Sequence, residues 1–115
     1  MGYLMHKRTK ACHFGSETVR RIYERDGGCI FCQLGYHLPE EPQSIFDVMH
    51  IVNRSQGGLG IEENGVIGCR HHHTLLDNGN KGLREEMLAI IEEYMRGKYR
   101  DWNRDALVYR KPYGF

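Results

Sequence analysis

Two short motifs constrain this chain more than anything else in it: Cys29-Ile30-Phe31-Cys32 and, further on, Cys69-Arg70-His71-His72. A C-x-x-C pair and a C-x-x-H pair supply four soft or borderline ligands, enough to close a tetrahedral zinc site. Zinc binding in small modules is worth about 10 to 16 kcal/mol, against about 5 to 15 kcal/mol of net stability for a whole domain. In a chain of 115 residues with 14 glycines, metal removal is therefore expected to unfold the centre. In a reducing compartment such a cysteine pair favours metal over a disulfide.

His73 follows His72 directly, and neighbours in an α-helix differ by about 100° in direction. Two adjacent imidazoles in one helix therefore cannot easily share an ion. Cys69 and His72, three apart, lie on one face, while His73 and Asp77, four apart, lie on another and can hold a different cation. His71 is left as a surface residue or phosphate contact. Cys12, His13 and His6 have irregular spacing and no fourth ligand, so they predict no third site.

Along the chain, Ser16–Arg25 reads as a short helix with Ser16 as N-cap and Val19, Ile22 and Tyr23 on one face. Asp26-Gly27-Gly28 ends it, and the cysteine knuckle follows. Ser44–Val52 is rich in Ile, Phe and Val and predicts a strand with His50 near its end. Asn53–Gly60 contains three glycines and predicts a loop, after which Val66 and Ile67 make a short second strand. Arg70–Asp77 predicts a helix stopped by Asn78-Gly79. Leu83–Met95 is the longest periodic segment; Leu83, Met87, Leu88, Ile91, Tyr94 and Met95 form one apolar stripe, and Gly97 is expected to end it. That stripe packs on the domain or serves a homodimer. Asp101–Phe115 reads as a tail with a short helical turn and a basic, aromatic end.

The net charge of +1 conceals a polar distribution. Residues 1–25 carry six Lys/Arg against two Glu, and residues 96–115 carry six against two Asp, so each end is +4 and residues 26–95 are −7. An acidic centre repels phosphate unless divalent cations neutralise it, and basic ends could hold a phosphate backbone. No apolar run approaches a membrane span, and Met1 to Lys10 lacks the apolar core and cleavage site of a secretory signal. A cytoplasmic location is the expectation.

The run Phe46-Asp47-Val48-Met49-His50-Ile51, then Arg54, Gly57-Gly58, Asn64, Cys69, His72 and His73, resembles the HNH endonucleases of the His-Me finger class. In that class a strand ending in His leads to a Gly-containing loop, an Asn, a second strand and a metal-binding helix. The resemblance implies an α+β fold with a ββα-metal core over about residues 25–78. A Cys29, Cys32, Cys69, His72 zinc site staples that core within a single domain, 1–115. A basic N-terminal helical segment (1–25) and a C-terminal helix and tail (80–115) flank it.

It also implies a DNA endonuclease, of a kind that acts in restriction, phage DNA packaging or mobile-element spread, with a packaging partner in the second case. His50 is the expected general base, taking a proton from water that attacks phosphorus in line. Asn64 supports the loop carrying the base or approaches the metal, and Arg54 and His71 are candidate phosphate contacts. His73 and Asp77 hold a single catalytic ion, Mg²⁺ or Mn²⁺, with Zn²⁺ or Ni²⁺ as alternates. Two features depart from the family pattern. Met49 stands where many members carry an Asp or His ligand, so a carboxylate must come from Asp77, or from Asp47 as second choice. His72 replaces the usual fourth cysteine. The competing expectations are a zinc-stabilised nucleic-acid-binding module without catalysis and a zinc-stapled interaction domain using the Leu83–Met95 face.

Overall fold

A two-stranded antiparallel sheet organises the chain. Strand β1 (Phe46–His50) pairs with β2 (Gly65–Cys69) in the register Phe46↔Cys69, Val48↔Ile67 and His50↔Gly65. The computed structural model describes residues 7–78 and 82–110. Among the described residues five α-helices accompany the sheet: α1 (Lys7–Ala11), α2 (Ser16–Asp26), α3 (Ile30–Gln33), α4 (Arg70–Asp77) and α5 (Arg84–Lys98). The fold is therefore α+β. None of the described helices is long and apolar enough to cross a membrane.

Side chains alternate along a strand and directly opposed residues share a face, so the register defines two surfaces. On one lie Phe46, Val48, His50, Gly65, Ile67 and Cys69. Helix α2 covers this surface so closely that a Cβ at Gly65 would stand 2.7 Å from the Ile22 Cδ1 and 2.9 Å from the Phe14 ring. The other surface carries Asp47, Met49, Val66 and Gly68. There α4 packs on the sheet and on α5, enclosing Met49, Val66, Leu76, Met87, Ile91 and Met95.

A two-stranded sheet leaves polar edges that must be satisfied when buried. The outer edge of β2 is closed by an ion pair at the end of α2. Asp26 accepts from the Ile67 N–H at 2.9 Å, and Arg25 donates to the Gly65 carbonyl at 2.5 Å. Tyr94 of α5 donates to the same Asp26 carboxylate at 2.5 Å, and Arg25 also reaches the Tyr99 hydroxyl at 3.0 Å. The two side chains thus stand in for a third strand.

Several boundaries differ from the sequence expectation. Helix α2 begins at Ser16 with Gly15 as its cap, so the Ser16 side chain caps nothing. The first strand is shorter than Ser44–Val52, and the second extends to Gly65 and Cys69. Helix α5 runs through Gly97 to Lys98, because burial of Met95 and the Tyr99 N–H bond to the Met95 carbonyl outweigh the roughly 1 kcal/mol that a helical glycine costs. Arg70–Asp77 agrees to the residue. The expected stop at Gly79 and the aromatic end at 111–115 lie outside the described residues.

Candidate metal centre and its surroundings

Cys29 precedes α3 and its thiol accepts the Cys32 N–H at 3.4 Å, so the tight turn presents both sulfurs to one point. Cys69 ends β2 and caps α4, and His72 follows one turn later. The His72 Nδ1 lies 3.2 Å from the Cys69 Sγ, 3.4 Å from the Cys29 Sγ and 3.6 Å from the Cys32 Sγ. All four ligand atoms fall within 4.8 Å of one another, and none of the cysteines forms a disulfide. The group could hold a zinc ion.

Its donor chemistry fits that ion. His72 is fully buried, and its Nε2–H donates to the Tyr36 carbonyl at 2.6 Å. That bond fixes the tautomer with the lone pair on Nδ1, facing the thiols. Burial lowers the His72 pKa, keeping the ring neutral as a ligand must be. Burial and the neighbouring Cys29 and Cys69 push the Cys32 thiol up to about 12. Such crowding opposes thiolate formation unless a cation sits among the sulfurs and inverts the balance.

His73 turns away from this cluster. Its Nδ1 lies 2.9 Å from an Asp47 carboxylate oxygen and its Nε2 lies 3.1 Å from the Asp77 carboxylate. Arg70 holds Asp47 through two contacts of 2.9 and 3.1 Å, and this pairing first, then His73, keeps the Asp47 carboxyl below its usual range. With Nδ1–H donating to Asp47, the His73 Nε2 and the Asp77 oxygen remain as two electron-pair donors side by side. Asp47 orients the imidazole from behind, a part the sequence did not foresee.

His50 stands on the opposite surface. Asp47 and His50 are three residues apart on β1, so they leave opposite faces. The His50 Nε2–H donates to the Cys12 carbonyl at 3.0 Å and its ring lies 4.2 Å from that of Phe14. Burial chiefly, with the charge of Arg54 adding to it, lowers its pKa, so the ring is neutral at neutral pH. The bond to Cys12 leaves Nδ1 as the lone-pair nitrogen. The structure therefore brings His73, Asp77 and Asp47 together on one side of the hairpin and His50 with Arg54 on the other.

Asn64 lies between them, fully buried. Its amide accepts from the Val52 N–H at 2.8 Å and donates to the Val52 and Leu59 carbonyls at 3.2 and 2.7 Å. It braces the loop that follows His50 and reaches neither imidazole. His71 is partly exposed and donates to the His37 carbonyl at 3.0 Å. Met49, beside His50, is buried against α4 as core.

A cavity of about 520 Å³ is bordered by Cys29, Cys32, Leu38, Pro39, Pro42 and Phe46. It touches none of His50, Asn64, His73 or Asp77, so size alone does not mark the candidate chemistry. The roles of Tyr36 and Cys12, whose backbone carbonyls hold His72 and His50, had no sequence signal. In comparison with known proteins, the chain matches no family model, no curated protein and no solved structure.

Proposed function

We propose that the protein is a divalent-metal-dependent endonuclease of the HNH type that hydrolyses DNA phosphodiesters, built on a ββα-metal core whose zinc is structural. The observation that carries this reading is the divergence of His72 and His73. One faces three thiols, and the next presents Nε2 beside Asp77 with Asp47 behind it.

The residues act as follows. His50, neutral and held by the Cys12 carbonyl, takes a proton from attacking water at Nδ1. His73 and Asp77 hold a single cation, oriented by Asp47, and Asn64 keeps the loop after His50 in place. When bound, that cation supplies Lewis-acid stabilisation of charge on the phosphoryl and leaving oxygens. Arg54 and His71 offer cationic or donor contacts to phosphate.

A non-catalytic DNA-binding module is the second reading, favoured by the placement of His50 and His73 on opposite faces of the sheet. Plasmid nicking by zinc-loaded protein in Mg²⁺ or Mn²⁺ separates the two. His50→Ala is expected to lower the rate by roughly 10² to 10⁴ while the protein stays folded and its zinc content stays the same. Parent protein that binds DNA yet leaves plasmid intact in Mg²⁺, Mn²⁺, Zn²⁺ and Ni²⁺, or a His50→Ala variant as fast as the parent, overturns the nuclease reading.

A further inference from the structure

The basic ends of the chain meet at one place. The Gly60 N–H donates to the Ala11 carbonyl, and the Leu59 N–H donates to Leu107. Tyr109 N–H donates to Gly57. The glycine loop after His50 is thus gripped from one side by the end of α1 and from the other by the segment after α5. The grip needs glycine: a Cβ at Gly60 would stand 2.2 Å from the His13 carbonyl oxygen, and one at Gly58 would stand 1.7 Å from the Val52 oxygen.

Where α1 meets this loop a polar cavity of about 180 Å³ opens, lined by Arg8, Thr9, Cys12, Arg54 and Ser55. Arg8 is held by the Ser55 carbonyl at 3.2 Å. All fifteen Asp and Glu of the chain lie among the described residues. None of them pairs with Arg8 or Arg54, nor with Arg84, Arg100 or Arg110, whereas Arg20, Arg21, Arg25, Arg70, Arg96 and Arg104 have carboxylate partners. Two uncompensated guanidiniums and two hydroxyl-bearing residues around one small cavity form a site for a tetrahedral oxyanion. The Cys12 carbonyl at its edge is the one that holds His50.

We propose that this cavity binds a backbone phosphate of the nucleic-acid strand, a neighbour of the one to be cut, with Arg8 and Arg54 as its two cationic contacts. The site rests on the nuclease reading for the identity of its ligand and assigns Arg8, Thr9 and Ser55 to substrate binding. It places the strand on the His50 side of the sheet. Asp47 and Asp77 lie across the hairpin from it.

The test measures binding without cleavage. Zinc-loaded full-length protein with no other divalent ion is titrated against a fluorescein-labelled DNA duplex by anisotropy, over a series of KCl concentrations. Arg8→Gln and Arg54→Gln are each expected to weaken binding about five- to tenfold, and each should reduce the slope of log K against log salt by about 1. Arg20→Gln, which alters a cation already paired with Glu17 and Glu24 on α2, should change neither. Unaltered zinc content and melting temperature show that the variants fold.

Parent-like affinity and slope in both Arg8→Gln and Arg54→Gln overturn the proposal, as does a parent that fails to bind duplex. Inorganic phosphate at constant ionic strength separates ligand sources by its effect on the His50 ring resonances. A shift in a parent that ignores duplex would mean a small-anion site and sink the strand assignment. Loss of affinity in the variants alongside a parent that cuts no DNA would instead retain this site and remove the nuclease reading.

Discussion

His50 shows how a single side chain acquires its properties from its neighbours. At the end of β1 it is half-buried beneath Phe14, with Nε2 committed to the Cys12 carbonyl. Burial disfavours the imidazolium, so the folded-state pKa is lowered from 6.5. The sign of the linkage follows. The unfolded chain takes up the proton first, so the stability contributed by neutral His50 is complete above pH 6.5 and is lost as pH falls through the lower folded value. Urea unfolding of zinc-loaded protein between pH 7 and the onset of zinc loss should show parent stability falling more steeply than that of His50→Gln, which cannot protonate. Equal slopes would show that His50 is not desolvated as described. The position of His50 was legible from the glycines after it; its covering by Cys12 and Phe14 was not, because nothing in the local pattern shows a distant backbone carbonyl.

Among the elements, the hairpin and α4 carry the site, and Asn64 sets how they join. Its side chain satisfies Val52 on both its N–H and its carbonyl, and Leu59 on its carbonyl, so the turn between the strands needs no regular hydrogen-bond ladder. Asn64→Ala strands the two buried Val52 groups at about 1 to 3 kcal/mol each. A loss of roughly 2 to 6 kcal/mol in urea unfolding, with zinc still bound, is the expected result; a change under about 0.5 kcal/mol would mean the loop holds itself. Helix α4 was legible to the residue because Cys69, His72 and Asp77 impose its period and its ends. Asp47 was harder to place, since a carboxylate two residues before Met49 gains its partners, Arg70 and His73, only when the hairpin closes.

For the molecule as a whole, two devices outside the motifs hold the parts in register. Arg25 and Asp26 seal the edge of β2 and tie it to Tyr94 and Tyr99, and the two basic ends clamp the glycine loop. Neither was visible in the sequence. A buried ion pair looks like any other Arg-Asp dipeptide, and α1 is too short for its periodicity to stand out. The α+β class and the Cys3His group were visible, because ligand spacing is local and metal geometry allows few solutions. That group anchors α3, β2 and α4 together, so the rest of the site depends on which imidazole belongs to it. Zinc-edge X-ray absorption on zinc-loaded parent, His72→Ala and His73→Ala decides this most directly. One zinc with three sulfurs and one nitrogen is expected in the parent and unchanged in His73→Ala, with the nitrogen lost in His72→Ala. A His73→Ala variant whose zinc is lost or differently coordinated would contradict the account.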